Sequence, residues 1–147
     1  MREHPFDPGV KIGSDELWGF MTFKVLVVDD SKLARMAVAK ALGGLRPDWT
    51  RVEAANADEA LAALKDQKPD LVVLDFNMPG RDGLDVAAEL RRLRPAMPVA
   101  LISANHQQEI VDRARAIGAT FLTKPLTEQA FGEFLFGAAK QIEAAGV

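Results

Sequence analysis

Lys68-Pro69-Asp70-Leu71-Val72-Val73-Leu74-Asp75-Phe76-Asn77-Met78-Pro79-Gly80 is the stretch that decides the fold. Leu71, Val72, Val73 and Leu74 form a short unbroken apolar run, the pattern of a parallel strand covered on both faces. Asp75 arrives where the strand stops, and Asn77-Met78-Pro79-Gly80 breaks the backbone into a loop. A carboxylate directly after four apolar residues is costly inside, so Asp75 is either exposed at the sheet edge or paired with a cation. Ligands of open α/β sheets collect outside the carboxyl ends of the strands. That edge is therefore where chemistry is expected.

Working outward, the same strand-then-helix grammar repeats. Strands are expected over residues 23–28, 51–55, 71–75, 98–102 and 120–123. Helices are expected over 31–45, 58–68, 82–93, 106–117 and 127–145. The first helix carries Ala34, Val38, Ala41 and Leu45 at helical spacing, and Gly43-Gly44 with Arg46-Pro47 ends it. The second turns Leu61 and Leu64 inward. The third turns Leu84, Ala87, Leu90 and Leu93 inward, with Arg91, Arg92 and Arg94 as its wet face. Ile110, Ala114 and Ile117 share a face of the fourth. Phe131, Phe134, Leu135 and Phe136 exceed one stripe of the fifth, so Phe134 or Phe136 is expected at a partner surface. Strict alternation of five strands and five helices argues for an α/β protein with a doubly wound, five-stranded parallel sheet and helices on both faces.

The 147 residues suffice for one domain with a proper core. A net charge of -3 gives no electrostatic case for nucleic acid. Without cysteine there is no disulfide, thiolate nucleophile or thiolate-bound zinc. No apolar run approaches the roughly 18 residues of a membrane span, and no signal-peptide pattern opens the chain. The expectation is a cytoplasmic protein without membrane insertion. Residues 1–22 read as an N-terminal extension and 23–147 as the domain. The extension has two readings. It is a disordered tail, with Met21 as an alternative start, or it forms a helical turn from Ser14 that docks Leu17, Trp18 and Phe20.

The carboxyl ends of the first, third, fourth and fifth strands carry Asp29-Asp30, Asp75, Ser103 and Lys124. Ends of parallel strands lie side by side, so these residues converge although far apart in sequence. Three carboxylates in one small site repel and call for a cation. All-oxygen ligands favour Mg2+ (or Mn2+). A hydroxyl and an ammonium suit an anionic group. Together they describe a site that handles phosphoryl groups, with Asp75 as a nucleophile. Taken singly, each has a plainer reading. Asp29-Asp30-Ser31 is a helix cap, Ser103 a turn residue, Lys124 a solvated lysine, and His4 and His106 are surface residues.

From about residue 23 to 145 the chain resembles the receiver (CheY-like) domain of bacterial two-component response regulators, a flavodoxin-like (βα)5 fold. The matching pieces are Val27-Val28-Asp29-Asp30-Ser31, Leu74-Asp75-Phe76-Asn77-Met78-Pro79-Gly80 with Asp82-Gly83, Ile102-Ser103-Ala104, and Phe121-Leu122-Thr123-Lys124-Pro125. The resemblance implies roles. Asp75 is the phosphoacceptor, Asp30 a direct Mg2+ ligand, Asp29 a ligand mainly through water, and the Asn77 carbonyl the remaining protein ligand. Ser103 is the switch hydroxyl and Lys124 the phosphoryl-pairing lysine, with a cis Lys124–Pro125 bond. Phe121 is the switch aromatic, where relatives often have Tyr. Asn77 and Asn105 occupy the variable positions that influence phosphoryl lifetime.

The implied partners are a histidine kinase or histidine phosphotransfer protein and a downstream target protein. The chain is expected as a monomer or as a homodimer through the helix 4 to helix 5 face. It reads as a stand-alone receiver, either a diffusible effector or a phosphorelay carrier, and not as an enzyme beyond autodephosphorylation. Two other classes stay open. A haloacid dehalogenase-type phosphatase would carry a second Asp where Asn77 stands. A receiver-shaped interaction module would work without phosphorylation.

Overall fold

The computed structural model describes residues 21–145. Five strands alternate with five helices: β1 (Lys24–Val28), α1 (Lys32–Leu45), β2 (Thr50–Ala54), α2 (Ala57–Gln67), β3 (Leu71–Asp75), α3 (Gly83–Leu93), β4 (Val99–Ser103), α4 (Gln108–Ala116), β5 (Thr120–Thr123) and α5 (Glu128–Ala144). The strands pair only in parallel, in the order β2-β1-β3-β4-β5. The order reverses between β1 and β3, where the connections leave in opposite directions and open a crevice at the carboxyl edge.

Side chains of period two divide the core in two. Leu26, Val28, Val72, Leu74, Val99 and Leu101 face α2, α3 and α4. Val25, Val27, Leu71, Val73, Ala100 and Ile102 face α1 and α5. The central strands are buried on both faces, which is why residues 71–74 show no polar alternation. Four helices start on a side-chain cap. Ser31, Asn56, Asp82 and Thr127 each accept the amide hydrogen three residues on, from Ala34, Glu59, Asp85 and Ala130. Helix α4 starts later than its sequence pattern, because Asn105 takes the Gln107 amide at 3.0 Å and holds that segment as a turn.

The structure narrows one side-chain expectation and corrects others. Phe131 and Phe134 are both buried in the α5 core, which leaves Phe136 as the half-buried aromatic, under the Lys140 ammonium. Leu93 is 46% exposed instead of facing inward. Arg91 and Arg94 are not simply a wet face. Arg91 donates to the Ile117 and Met97 carbonyls, and Arg94 to the Pro69 carbonyl. Each guanidinium satisfies loop oxygens that lack a ladder partner. The reading of Ser14, Leu17, Trp18 and Phe20 lies outside the described residues. Met21, the first described residue, has its carbonyl bound by the Trp49 indole N–H at 2.8 Å and by Arg46 at 3.2 Å.

No helix among the described residues is long and apolar enough to cross a membrane.

Candidate functional site

The β1 and β3 ends supply the acids. Asp29 follows β1 and is buried. Its amide donates to the Ala54 carbonyl at 3.0 Å, and its carboxylate accepts the Ser31 amide at 2.9 Å. Asp30, next in the chain, is exposed. Asp75 is the last residue of β3 and only 4% exposed. One carboxylate oxygen from each of the three lies within 4.8 Å of the others. Lys124, just past β5, brings its ammonium to 2.5 Å from Asp75 Oδ1. This charge pair is what offsets the buried Oδ1 oxygen.

Three carboxylates thus face one cation. Burial pushes the Asp29 carboxyl above its ordinary range. The Ser31 amide pulls it down, the Asp75 charge raises it, and Lys124 and Asp30 act as smaller opposing influences. The donor set is oxygen only, with anionic charge to spare, and fits a hard divalent cation such as Mg2+.

The other predicted residues lie around this cluster. Ser103 ends β4 and is buried. Its hydroxyl accepts the Asn105 amide at 2.9 Å, and its carbonyl accepts the Lys124 amide at 3.0 Å. The β4 and β5 ends are thereby tied together next to Asp75, whose register partner is Ile102. The Lys124–Pro125 bond is cis. Phe121, on β5, is half-buried and packs on the core beneath α2–α4. Its ring meets His106 edge to face, with centroids 6.4 Å apart. Asn77 is exposed in the loop after β3. Asp29, Asp30, Asp75 and Lys124 therefore form one cluster, with Ser103 bound to it through the backbone.

Two further residues lie next to this cluster, of which Arg35 was not singled out by sequence reasoning and Gly83 appeared only within the Asp82-Gly83 match. Arg35, one turn into α1, donates to the Asp29 carbonyl at 2.5 Å and to Glu53 on β2 at 2.9 Å. Gly83 opens α3 directly against the acceptor strand: a Cβ there would sit 2.3 Å from the Asp75 carbonyl oxygen. Gly83 was legible as part of the Asp82-Gly83 match, without a role attached to it. Nothing in the spacing of Arg35 marks it out from a surface arginine.

The family model of the response regulator receiver domain matches residues 25–135. The chain belongs to this family. As a receiver domain of two-component systems it has curated relatives that are longer. It is 39% identical over 114 residues to the positive alginate biosynthesis regulatory protein of Pseudomonas aeruginosa, covering 76% of this chain and 45% of that one. It is 44% identical over 108 residues to a protein-glutamate methylesterase/protein-glutamine glutaminase of Paraburkholderia xenovorans, covering 69% of this chain and 29% of that one. The receiver chain thus spans less than half the length of either relative. Among solved structures it resembles the chemotaxis protein CheY4 of Vibrio cholerae. That match has a TM-score of 0.72 and 27% identity, over 80% of this chain and 99% of that one.

Proposed function

We propose that this receiver domain is phosphorylated on Asp75 and signals through altered protein contacts. The observation that carries the proposal is the cluster itself. Three carboxylates lie within 4.8 Å of one another, and a lysine ammonium is aimed at the one that ends the central strand.

Asp75 attacks the phosphorus of a phosphohistidine on a kinase or phosphotransfer protein, or of a small phosphodonor. The new O–P bond forms as the P–N bond breaks, and the imidazole leaves with the electron pair and takes up a proton. Lys124 offsets charge on one phosphoryl oxygen, and the Ser103 hydroxyl bonds another. Asp30, Asp75 and the Asn77 carbonyl would hold Mg2+ (or Mn2+), with Asp29 acting through water. When bound, the ion supplies charge neutralisation to the transferring group. The acyl phosphate adds charge and acceptor oxygens at the sheet edge, and Ser103 and Phe121 shift to accommodate them. The signal then passes to the surface of α4, β5 and α5, where a target protein or a second copy docks. Residues 23–147 act as the phosphorylated unit in the cytoplasm, with residues 1–22 as an extension.

The test is incubation with acetyl phosphate and Mg2+, followed by intact-mass measurement. Uptake of one phosphoryl group that Asp75→Ala abolishes supports the proposal. Continuous hydrolysis of phosphate esters would instead mark a phosphatase. No uptake would leave an interaction module that works without phosphate.

A further inference from the structure

We infer that Arg35 is a positioning residue for the metal-binding acids, clamped in place by Glu53. The inference rests on the reading of Asp29 and Asp30 as the Mg2+ ligands of a phosphorylated receiver.

Asp29 is held by its backbone on both sides. Its N–H donates to the Ala54 carbonyl at the end of β2. Its carbonyl accepts from Arg35 Nη1 at 2.5 Å. The same guanidinium donates through Nε to Glu53 Oε1 at 2.9 Å, and Glu53 lies on β2 one residue before Ala54. The end of β1 is thus tied to the edge strand directly and through a fork. Arg35 is suited to this because one rigid plane reaches two acceptors at once. Its side chain is only 14% exposed, so the geometry is not that of a mobile surface arginine.

The consequence falls on Asp30. A peptide group is planar, so fixing the Asp29 carbonyl also fixes the Asp30 N–H and the position of its Cα. Arg35 therefore helps set the position of the Cα from which the exposed Asp30 carboxylate leaves the chain. Groups behind metal ligands that fix their orientation change metal affinity without touching the metal. Glu53 has a second task. It neutralises the guanidinium, so that a cation one layer behind the acids does not compete with the incoming ion. The Arg35 hydrogen bond is the main reason the Glu53 carboxyl sits below its ordinary range.

The experiment is calorimetric titration of MgCl2 into the full chain, with circular dichroism and metal-free melting on each variant. Arg35→Ala and Arg35→Lys are expected to weaken Mg2+ binding about tenfold while leaving a folded protein. Lysine keeps the charge but cannot span both acceptors. Glu53→Gln loosens the fork and exposes the charge, and weakens binding by less than the roughly tenfold expected of Arg35→Ala. If Arg35→Ala fails to fold, Arg35→Lys and Glu53→Gln decide. Folded variants that bind Mg2+ as wild type does overturn the inference. So does tighter binding by Arg35→Ala, which would mean that the guanidinium merely competes with the ion. Wild-type protein that binds no Mg2+ overturns the metal reading itself, and is distinguishable from failure of the clamp alone.

Discussion

The Lys124 ammonium stands 2.5 Å from Asp75 Oδ1, and the two side chains differ tenfold in exposure, 39% against 4%. Lysine reaches in from solvent to meet a charge that the sheet has buried. This asymmetry decides what each substitution does. Lys124→Ala is expected to cut the initial rate of phosphoryl uptake by about 100-fold, as loss of a group aimed at developing charge does elsewhere. Because the substitution leaves the buried Asp75 carboxylate without its counter-charge and beside two other acids, the metal-free fold should lose about 3 kcal/mol. Uptake kinetics by mass spectrometry and urea unfolding in chelator check the two parts.

Asp29→Asn should have opposite effects on stability and function. It removes one of three crowded carboxylates yet keeps an oxygen for the Ser31 amide. In chelator the variant is expected to melt a few degrees higher, the change that about 1 kcal/mol produces in a chain of this size. In excess Mg2+ the advantage should shrink or reverse, since the ion relieves more repulsion in the wild type than in the variant. Melting curves with and without Mg2+ are the measurement.

Gly83→Ala tests how tightly α3 seats on the acceptor strand. The added carbon meets backbone, the Asp75 carbonyl oxygen and the Phe76 Cα, not a flexible side chain. Neither can yield without moving the end of β3. A loss of about 1–3 kcal/mol in urea unfolding is expected, the range for overpacking. Gly137→Ala, on α5 with no atom close to the new carbon, should gain about 0.5–1 kcal/mol from helix propensity.

Glu53 provides a pH signature. Its carboxyl is held below the ordinary range by the Arg35 hydrogen bond first, with Arg51 adding to it. A depressed acid contributes stability that is fully present above its unfolded value and fades as pH falls through the folded one. Wild type should therefore exceed Glu53→Gln at neutral pH by less than about 1 kcal/mol, as for a partly solvated pair. The difference should close as the solution is acidified below the ordinary glutamate value of 4.5. A constant difference down to pH 3 would refute the ionic origin.

Strand and helix boundaries were legible because burial on two faces leaves unbroken apolar runs, as at Leu71–Asp75. The gathering of Asp29, Asp30, Asp75 and Lys124 was legible because parallel strands all end at one edge. Burial of the acceptor was not: a lone Asp after an apolar run gives no sign of whether its cation lies near, and Lys124 is 49 positions away along the chain. The roles of Arg91, Arg94 and Arg35 were hidden for a related reason. Each serves a backbone carbonyl, and a carbonyl has no letter in the sequence. Leu93 was misplaced, and the choice between Phe134 and Phe136 was left open, because a helical stripe fixes only a direction, and the neighbouring element decides where cover ends.

β1 lies between β2 and β3 yet leaves the ribosome before either. None of the four ladders closes through a hairpin. Even the aligned pair nearest in sequence, Ala100 and Thr120, has helix α4 between its members. Loop closure must therefore precede every inter-strand bond, which places this chain among the slower folders of its length. Until Leu74 has emerged to align with Val28, β1 has one apolar edge without its partner, the kind of unpaired strand that exposes a folding chain to association.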